Sequence, residues 1–187
     1  MRPIAIGQDI YFINSLARKY NQRYIEYMKI RPLTPEHYPK VAALLLQAFP
    51  RSKYEVNLFD KLHQKGRVLH EWVCLHRDTV TAYIAFSKAY DDKKVCGLHL
   101  APLAVKPQMQ NQGIGSELLR FALRQEVIKE STVFVVGNPA LFLKFGFERC
   151  ALPLCPLDKG NAHFLSLRNA EPRQYTVGYE PEFKVKR

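Results

Sequence analysis

A glycine-containing loop is the first segment of this 187-residue sequence that could bind a ligand. Gln110, Gly113 and Gly115 form the pattern Gln-x-x-Gly-x-Gly directly before a predicted helix. Glycine lets the backbone approach a ligand closely, and the free N–H groups at a helix start bind anions. The loop lacks the length and the Gly-Lys-Ser/Thr ending of a Walker-type phosphate loop, and it is not the dinucleotide fingerprint. It predicts an anion site, although a plain tight turn would also contain these glycines.

A proline eight residues upstream strengthens this interpretation. Pro102 lies within residues 95–105, an apolar run that otherwise predicts a central strand. Proline has no N–H to donate, so it occurs in sheets at bulges or unpaired positions. A bulge would separate this strand from its neighbour and leave backbone groups at Leu103 and Val105 without partners. We therefore expect an extended, amide-bearing ligand to complete the ladder at this point.

The surrounding pattern predicts an α+β domain with a mixed sheet. The β-rich runs at 68–76 and 79–87 are joined at Arg77-Asp78, which predicts an antiparallel hairpin. The strand–helix–strand order of residues 95–137 predicts a right-handed parallel crossover. Further predicted strands are residues 28–31, 132–137 and 162–167. Predicted helices begin at Thr34 and span residues 54–64, 115–129 and 140–145.

Residues 1–27 are predicted to form an N-terminal extension before a single domain at 28–187. Asp9 could cap a helix whose apolar stripe docks on the domain or forms a partner or targeting surface. A mitochondrial presequence is a weak alternative because acidic residues interrupt it, and Met28 is an alternative start.

The composition narrows the class of protein. The chain has 28 Lys and Arg against 17 Asp and Glu, so its net charge of +11 favours anionic ligands or is simply a solvated surface. No apolar run approaches the roughly 20 residues of a membrane span, which predicts a soluble domain. The four cysteines form no C-x-x-C pair, and Cys150, Cys155 and His163 match no zinc spacing, so we expect no metal. A reduced, cytoplasmic chain is the default expectation.

Two segments together resemble the acetyl-CoA signature of the GNAT superfamily of N-acetyltransferases. Residues 100–105 read Leu-Ala-Pro-Leu-Ala-Val, and residues 110–116 read Gln-Asn-Gln-Gly-Ile-Gly-Ser. Residues 137–140 and 144–147 are similar to the later strand–helix segment of that superfamily, and the similarity covers about residues 28–182. The resemblance implies a mixed, mostly antiparallel central sheet with a β-bulged strand, flanked by helices.

The same resemblance implies acetyl-CoA as the co-substrate and indicates which residues bind it. Leu103 and Val105 would hydrogen-bond the pantetheine arm, and Lys106 is a candidate for its remaining phosphates. The N–H groups of residues 110–116 would hold the pyrophosphate, and Asn138 would lie beside the cofactor. The full set of expected cofactor-binding residues is Leu103, Ala104, Val105, Gln110, Asn111, Gln112, Gly113, Ile114, Gly115, Ser116 and Asn138.

Two residues are candidate general bases, because an amine must lose a proton to attack a thioester. His99 lies on the bulged strand, where histone-acetylating relatives are similar in carrying a carboxylate; it could instead face outward or pack between helices. Glu55 resembles an acidic position on the acceptor side of related sequences; it could instead be a solvated first-turn acid. Phe142 stands where many members place a proton-donating Tyr, and Lys144 replaces their Arg. Water could protonate the leaving thiolate instead, with slower turnover.

The leading hypothesis is an acetyl-CoA-dependent N-acetyltransferase acting on a primary amine by direct attack within a ternary complex. The acceptor, a small molecule or a protein amine, is not encoded in any pattern of the sequence. A first alternative is an acetyl-CoA-binding sensor with little catalysis, which Phe142 favours slightly. A second is a basic RNA- or ribosome-binding adaptor. The charge favours the adaptor, but no aromatic–basic signature of an RNA-recognition sheet is present, so nucleic acid is not the expected partner.

Overall fold

The computed structural model describes residues 11–12, 28–170 and 173–183 of the chain. Within these ranges the chain forms one mixed sheet with helices on both faces. The strands are β1 (Tyr11–Phe12), β2 (Met28–Pro32), β3 (His70–His76), β4 (Thr79–Asp91), β5 (Lys94–Val105), β6 (Val133–Val136), β7 (Glu148–Arg149), β8 (Phe164–Leu167) and β9 (Val177–Tyr179). The α-helices are α1 (Tyr38–Ala48), α2 (Tyr54–Gln64), α3 (Ile114–Ala122), α4 (Glu126–Lys129) and α5 (Pro139–Phe142).

The sheet has the strand order β1-β2-β3-β4-β5-β6-β8-β7, with β9 paired to the end of β4. The pairing of β5 with β6 is parallel, and the other pairings between these strands are antiparallel. The predicted mixed, mostly antiparallel sheet flanked by helices is therefore confirmed. The predicted hairpin is also present, and its turn residues Arg77 and Asp78 both have positive φ, which matches the right-handed twist of the strands.

Two apolar cores lie on opposite faces of the sheet, because successive side chains of a strand point to opposite sides. On β4, Ile84 and Phe86 pack with the α3 side, whereas Tyr83 and Ala85 pack with the α1 side. α3 contributes the buried side chains Ile114, Leu118, Leu119 and Ala122. α1 contributes Val41, Leu44 and Leu45. This arrangement fixes β4 and β5 at the centre of the molecule.

The single helix predicted at residues 115–129 is wrong, since α3 ends at Ala122 and α4 is a separate short helix. Gln125 between them has extended backbone angles, φ −64° and ψ 136°. In one continuous helix Ile128 would point about 120° around the axis from Ala122. The break lets Ile128 reach the core, where it is fully buried.

Only part of the predicted N-terminal extension, residues 1–27, belongs to the described residues. Tyr11 and Phe12 form β1, which pairs with β2 at Ile30 and Lys29, so a helix beginning directly after Asp9 is wrong at these two residues. The rest of the predicted helical extension, residues 13–27, lies outside the described residues. In the part of the chain that the structure describes, no helix is long and apolar enough to cross a membrane.

Candidate active site

A bulge on β5 opens the candidate site. Leu103 lies opposite Ile84 of β4, but Leu100 lies opposite Phe86, so β5 has one residue more than β4 over this stretch. The extra residue falls at Ala101-Pro102, where the sequence predicted a bulge. Proline has no N–H to donate, so at Pro102 itself the interruption of the ladder leaves no donor unpaired.

Beyond the bulge, β5 and β6 separate. The two parallel strands pair at Leu98 with Val133 and at His99 with Phe134, and no later pair between them is formed among the described residues. Leu103, which has β4 on one side, therefore borders an open cleft on the side where β6 would otherwise pair. Val105 differs from the expectation, because its carbonyl accepts a hydrogen bond from the Gln110 side-chain amide at 3.1 Å.

The cleft between the separated strands has a volume of about 840 Å³, within the range of small-molecule sites. The start of α3 forms one of its walls: Gly113 precedes the helix in the left-handed conformation, with φ +83°. A Cβ atom on Gly115 would approach Cγ2 of Val105 to 3.0 Å, so glycine permits the close contact of loop and strand. The free N–H groups of the first α3 turn are a suitable anion site.

Ten predicted site residues line this one cleft. They are Glu55, His99, Leu103, Val105, Gln110, Asn111, Gly113, Ile114, Gly115 and Ser116. Their positions in the chain span more than 60 residues, and the splayed strands bring them together.

Three predicted cofactor-binding residues and one candidate phosphate contact are placed elsewhere. The Ala104 side chain packs in the α1 core, and the Gln112 side chain donates to the Gln108 carbonyl. The Asn138 side chain caps α5 by accepting from the Ala140 N–H at 2.9 Å. Lys106 lines a smaller cavity beside Lys40 rather than the cleft. A role for their side chains in cofactor binding remains a prediction.

Glu55 lies in the first turn of α2 and lines the cleft. Its Oε2 atom is buried and has no hydrogen-bond partner. A buried carboxylate oxygen is costly unless a donor or a cation satisfies it. Its place on the cleft is compatible with an acid on the acceptor side, and its catalytic role remains a prediction.

His99 is 2% exposed and packs against the rings of Tyr179 and Phe183, with centroid distances of 4.1 Å and 4.9 Å. Its Nδ1 atom has no hydrogen-bond partner. Burial lowers the pKa of His99 to about 3, so the imidazole is neutral at physiological pH. A neutral ring packed in this way is a weak proton acceptor.

The C-terminal turn, Pro181–Phe183, also lines the cleft through Phe183, which was not predicted from the sequence. The Tyr54 hydroxyl donates to the Phe183 carbonyl at 2.7 Å. Arg67 anchors the turn from the other side, through bonds of 3.0 Å and 2.9 Å to Glu182 and an ion pair of 3.3 Å to Glu180. These pairs are more than 100 residues apart, so no local pattern of the sequence could have indicated them.

Phe142 is the residue that the sequence resemblance aligns with a proton-donating tyrosine. It is 5% exposed and packs edge-to-face on Phe147, with a centroid distance of 5.4 Å. It also lines the cleft, and a Cβ atom on Gly137 would approach its ring to 2.6 Å. Phe142 therefore fills space along the lining of the cleft and supplies no proton.

Comparison with known proteins places the chain in a family. The family model for an acetyltransferase (GNAT) domain matches residues 68–149. The N-acetyltransferase YhbS of Escherichia coli K12 is 31% identical over 129 residues, which are 66% of this chain and 75% of YhbS. The N-acetyltransferase YjhQ of the same organism is 42% identical over 53 residues, which are 28% of this chain and 29% of YjhQ.

Solved structures agree with this assignment. The structure of YhbS in complex with CoA has a TM-score of 0.75 and 26% identity, over 84% of this chain and 92% of that one. A GNAT acetyltransferase from Brucella melitensis in complex with acetyl-CoA has the same fold, with a TM-score of 0.71 and 24% identity, over 84% of this chain and 98% of that one. The fold and the site thus define an acyltransferase. The chain belongs to the GNAT family of N-acetyltransferases.

Proposed function

We propose that the chain binds acetyl-CoA in the cleft between β5 and β6 and transfers the acetyl group to a primary amine by direct attack. One observation carries the proposal. The β5 bulge, the separated β6 and the glycine loop before α3 border the same cleft, so an amide-bearing arm and an anionic group can be held together. YhbS and the Brucella protein bind CoA and acetyl-CoA, which supports this assignment.

The chain's own residues provide the binding contacts. The backbone of Leu103 can pair with the amides of the extended pantetheine arm, as a further strand would. The N–H groups of Gly115 and Ser116 at the start of α3 can hold the pyrophosphate. Acetyl-CoA supplies an activated thioester, and the cleft holds its carbonyl in line with the amine, which can account for roughly 7–11 kcal/mol of the barrier.

We assign the role of general base to Glu55 rather than His99. The unpartnered Oε2 of Glu55 is available to take a proton from the incoming ammonium, whereas the low pKa of His99 disfavours it as a base. The amine nitrogen then bonds to the acetyl carbon as the carbon–sulfur bond breaks. The second proton of the nitrogen passes through water to the leaving thiolate, because Phe142 has no proton to donate.

The free cysteine thiols also bear on the cellular compartment in which the protein works. Cys74, Cys96, Cys150 and Cys155 are all free, which is typical of proteins from a reducing compartment. We therefore propose that the reaction takes place in the cytoplasm.

Calorimetry with acetyl-CoA tests the binding step. The wild type should bind with micromolar affinity, and Gly113→Trp should lose this binding because a large side chain would fill the loop. Gly66→Trp is the matched control: Gly66 also has positive φ, +61°, but has open space around its Cβ position and does not line the cleft. It should bind normally. No binding by the wild type, or equal loss in both variants, would contradict the proposal.

Thiol release on addition of a panel of primary amines tests the transfer step. We expect acceptor-dependent release with at least one amine. Tight binding of acetyl-CoA with no acceptor-dependent release would instead support the sensor alternative.

A further inference from the structure

The part of the cleft bordered by α2 and the C-terminal turn has an unusual charge for this basic protein. We define it as the acceptor end, and its lining side chains are Phe49, Tyr54, Glu55, Leu58 and Phe183. Glu55 contributes a carboxylate there, and no Lys or Arg lines any part of the cleft among the described residues. The chain carries a net charge of +11, so this absence of cations is local.

The carboxylate of Glu55 is incomplete without a cation. Its buried Oε2 receives no hydrogen bond from the described residues. Leaving a charged oxygen buried and unpaired is strongly unfavourable, whereas an ammonium group provides both the charge and the donors. A carboxylate or phosphate on the acceptor would meet no cation here and would lie close to Glu55.

The other polar groups at this end are already engaged or neutral. The Tyr54 hydroxyl donates to the Phe183 carbonyl. His99, next to this end, is neutral and its ring packs against Tyr179 and Phe183. Apart from Glu55, the lining side chains offer no free polar group to the main-chain amides of a peptide, so burying those amides costs more than burying an apolar body. An alkyl or aromatic body instead gains about 25 cal/mol for each Å² that it buries.

We propose that the acceptor is a small primary amine with a single positive charge, whose ammonium binds Glu55 and whose body is alkyl or aromatic. This inference rests on the proposed function, in which Glu55 then takes the ammonium proton and releases it to solvent. It excludes amino acids, phosphorylated amines and the lysine side chains of proteins as the preferred acceptors.

Binding measurements distinguish these acceptor classes independently of turnover. The probes are 2-phenylethylamine, phenylalanine, which adds only a carboxylate, 2-phenylethanol, which lacks the ammonium, and an end-blocked peptide containing one lysine. Calorimetry is carried out on the full chain with and without CoA. 2-Phenylethylamine should bind at least about tenfold more tightly than each of the other three, as expected for a buried charge pair. Equal or tighter binding of phenylalanine, the alcohol or the lysine peptide overturns the inference.

A pair of variants tests the role of the carboxylate. Glu55→Gln should weaken 2-phenylethylamine binding by about 10²-fold while acetyl-CoA binding is unchanged. Glu130→Gln is the control, because the Glu130 side chain is 71% exposed and does not line the cleft. Unchanged amine binding in Glu55→Gln overturns the inference. Amine binding with the expected selectivity but no thiol release supports the acceptor class while contradicting the proposed transfer, so the two failures are distinguishable.

Discussion

His99 of β5 and Ser87 of β4 lie directly opposite each other in the sheet, and neither Nδ1 of His99 nor Oγ of Ser87 has a hydrogen-bond partner. Both residues are almost completely buried, with 2% and 1% of their surface exposed. Without such a bond, Ser87 neither orients the imidazole of His99 nor favours its protonated form. This relationship agrees with a structural role for His99.

His99→Leu should therefore retain most of the acetyl-transfer activity. We expect kcat/KM to fall by less than about tenfold, whereas loss of a general base costs about 10²–10⁴-fold. Steady-state thiol release with 2-phenylethylamine between pH 6 and 9 measures this, with Glu55→Gln as the comparison. A fall of about 10³-fold in His99→Leu alone would identify His99 as the base instead.

The unpartnered Ser87 hydroxyl gives a prediction about stability. Ser87→Ala should leave the free energy of unfolding unchanged or raise it slightly, because a buried hydroxyl without a partner contributes only its desolvation cost. Thr81→Val on the same strand is the matched comparison: Thr81 is equally buried, but its hydroxyl donates to the Cys74 carbonyl at 3.0 Å. It should lose about 1 kcal/mol in urea unfolding. Equal losses in both variants would mean that Ser87 has a partner in solution.

A buried network at the other side of α2 predicts pH-dependent stability. Nε2 of His63 lies 3.0 Å from Oε2 of Glu71, and its Nδ1 lies 2.7 Å from the Phe59 carbonyl. Both neighbours are acceptors, so the arrangement favours the imidazolium; Tyr83 donates to the other Glu71 oxygen. Burial lowers the pKa of His63, but the bonds to Glu71 and Phe59 outweigh this effect and raise it overall.

A raised folded-state pKa stabilises the fold fully below the unfolded pKa of about 6.5, and the contribution is lost as the pH rises through the folded value. His63→Gln should thus cost about 2 kcal/mol at pH 5.5 and progressively less above pH 7. Thermal unfolding of both proteins across this range measures the difference. A cost that is constant or grows with pH would contradict the assignment of a charged His63.

The Arg67 anchor gives a prediction about acceptor binding. Arg67→Met should raise KM for the amine, because it leaves Glu180 and Glu182 buried without their cation and loosens the turn that carries Phe183. Amide hydrogen exchange at residues 177–183 should accelerate, while the Kd for acetyl-CoA should stay within about twofold, since Leu103 and the α3 start are untouched. Normal exchange at these residues would show that the turn holds without Arg67.

Much of the fold was predictable because it depends on local chemistry. The turn at Arg77-Asp78 and the β-rich runs that it joins are properties of short segments. Pro102 indicated the bulge because a proline cannot pair within a central strand. The division of the predicted helix at 115–129 was missed, since the burial of Ile128 depends on its tertiary surroundings.

The sequence by itself determined the family, the bulged strand and the glycine loop, because each of these is encoded by neighbouring residues with a fixed backbone requirement. Only the tertiary structure decided how the candidate catalytic residues differ. His99 and Glu55 are both proton acceptors in sequence, but packing from Tyr179 and Phe183 lowers the pKa of one, and the cleft leaves the other without a partner. Burial and pairing are set by residues far apart in the chain, so no local pattern contains them.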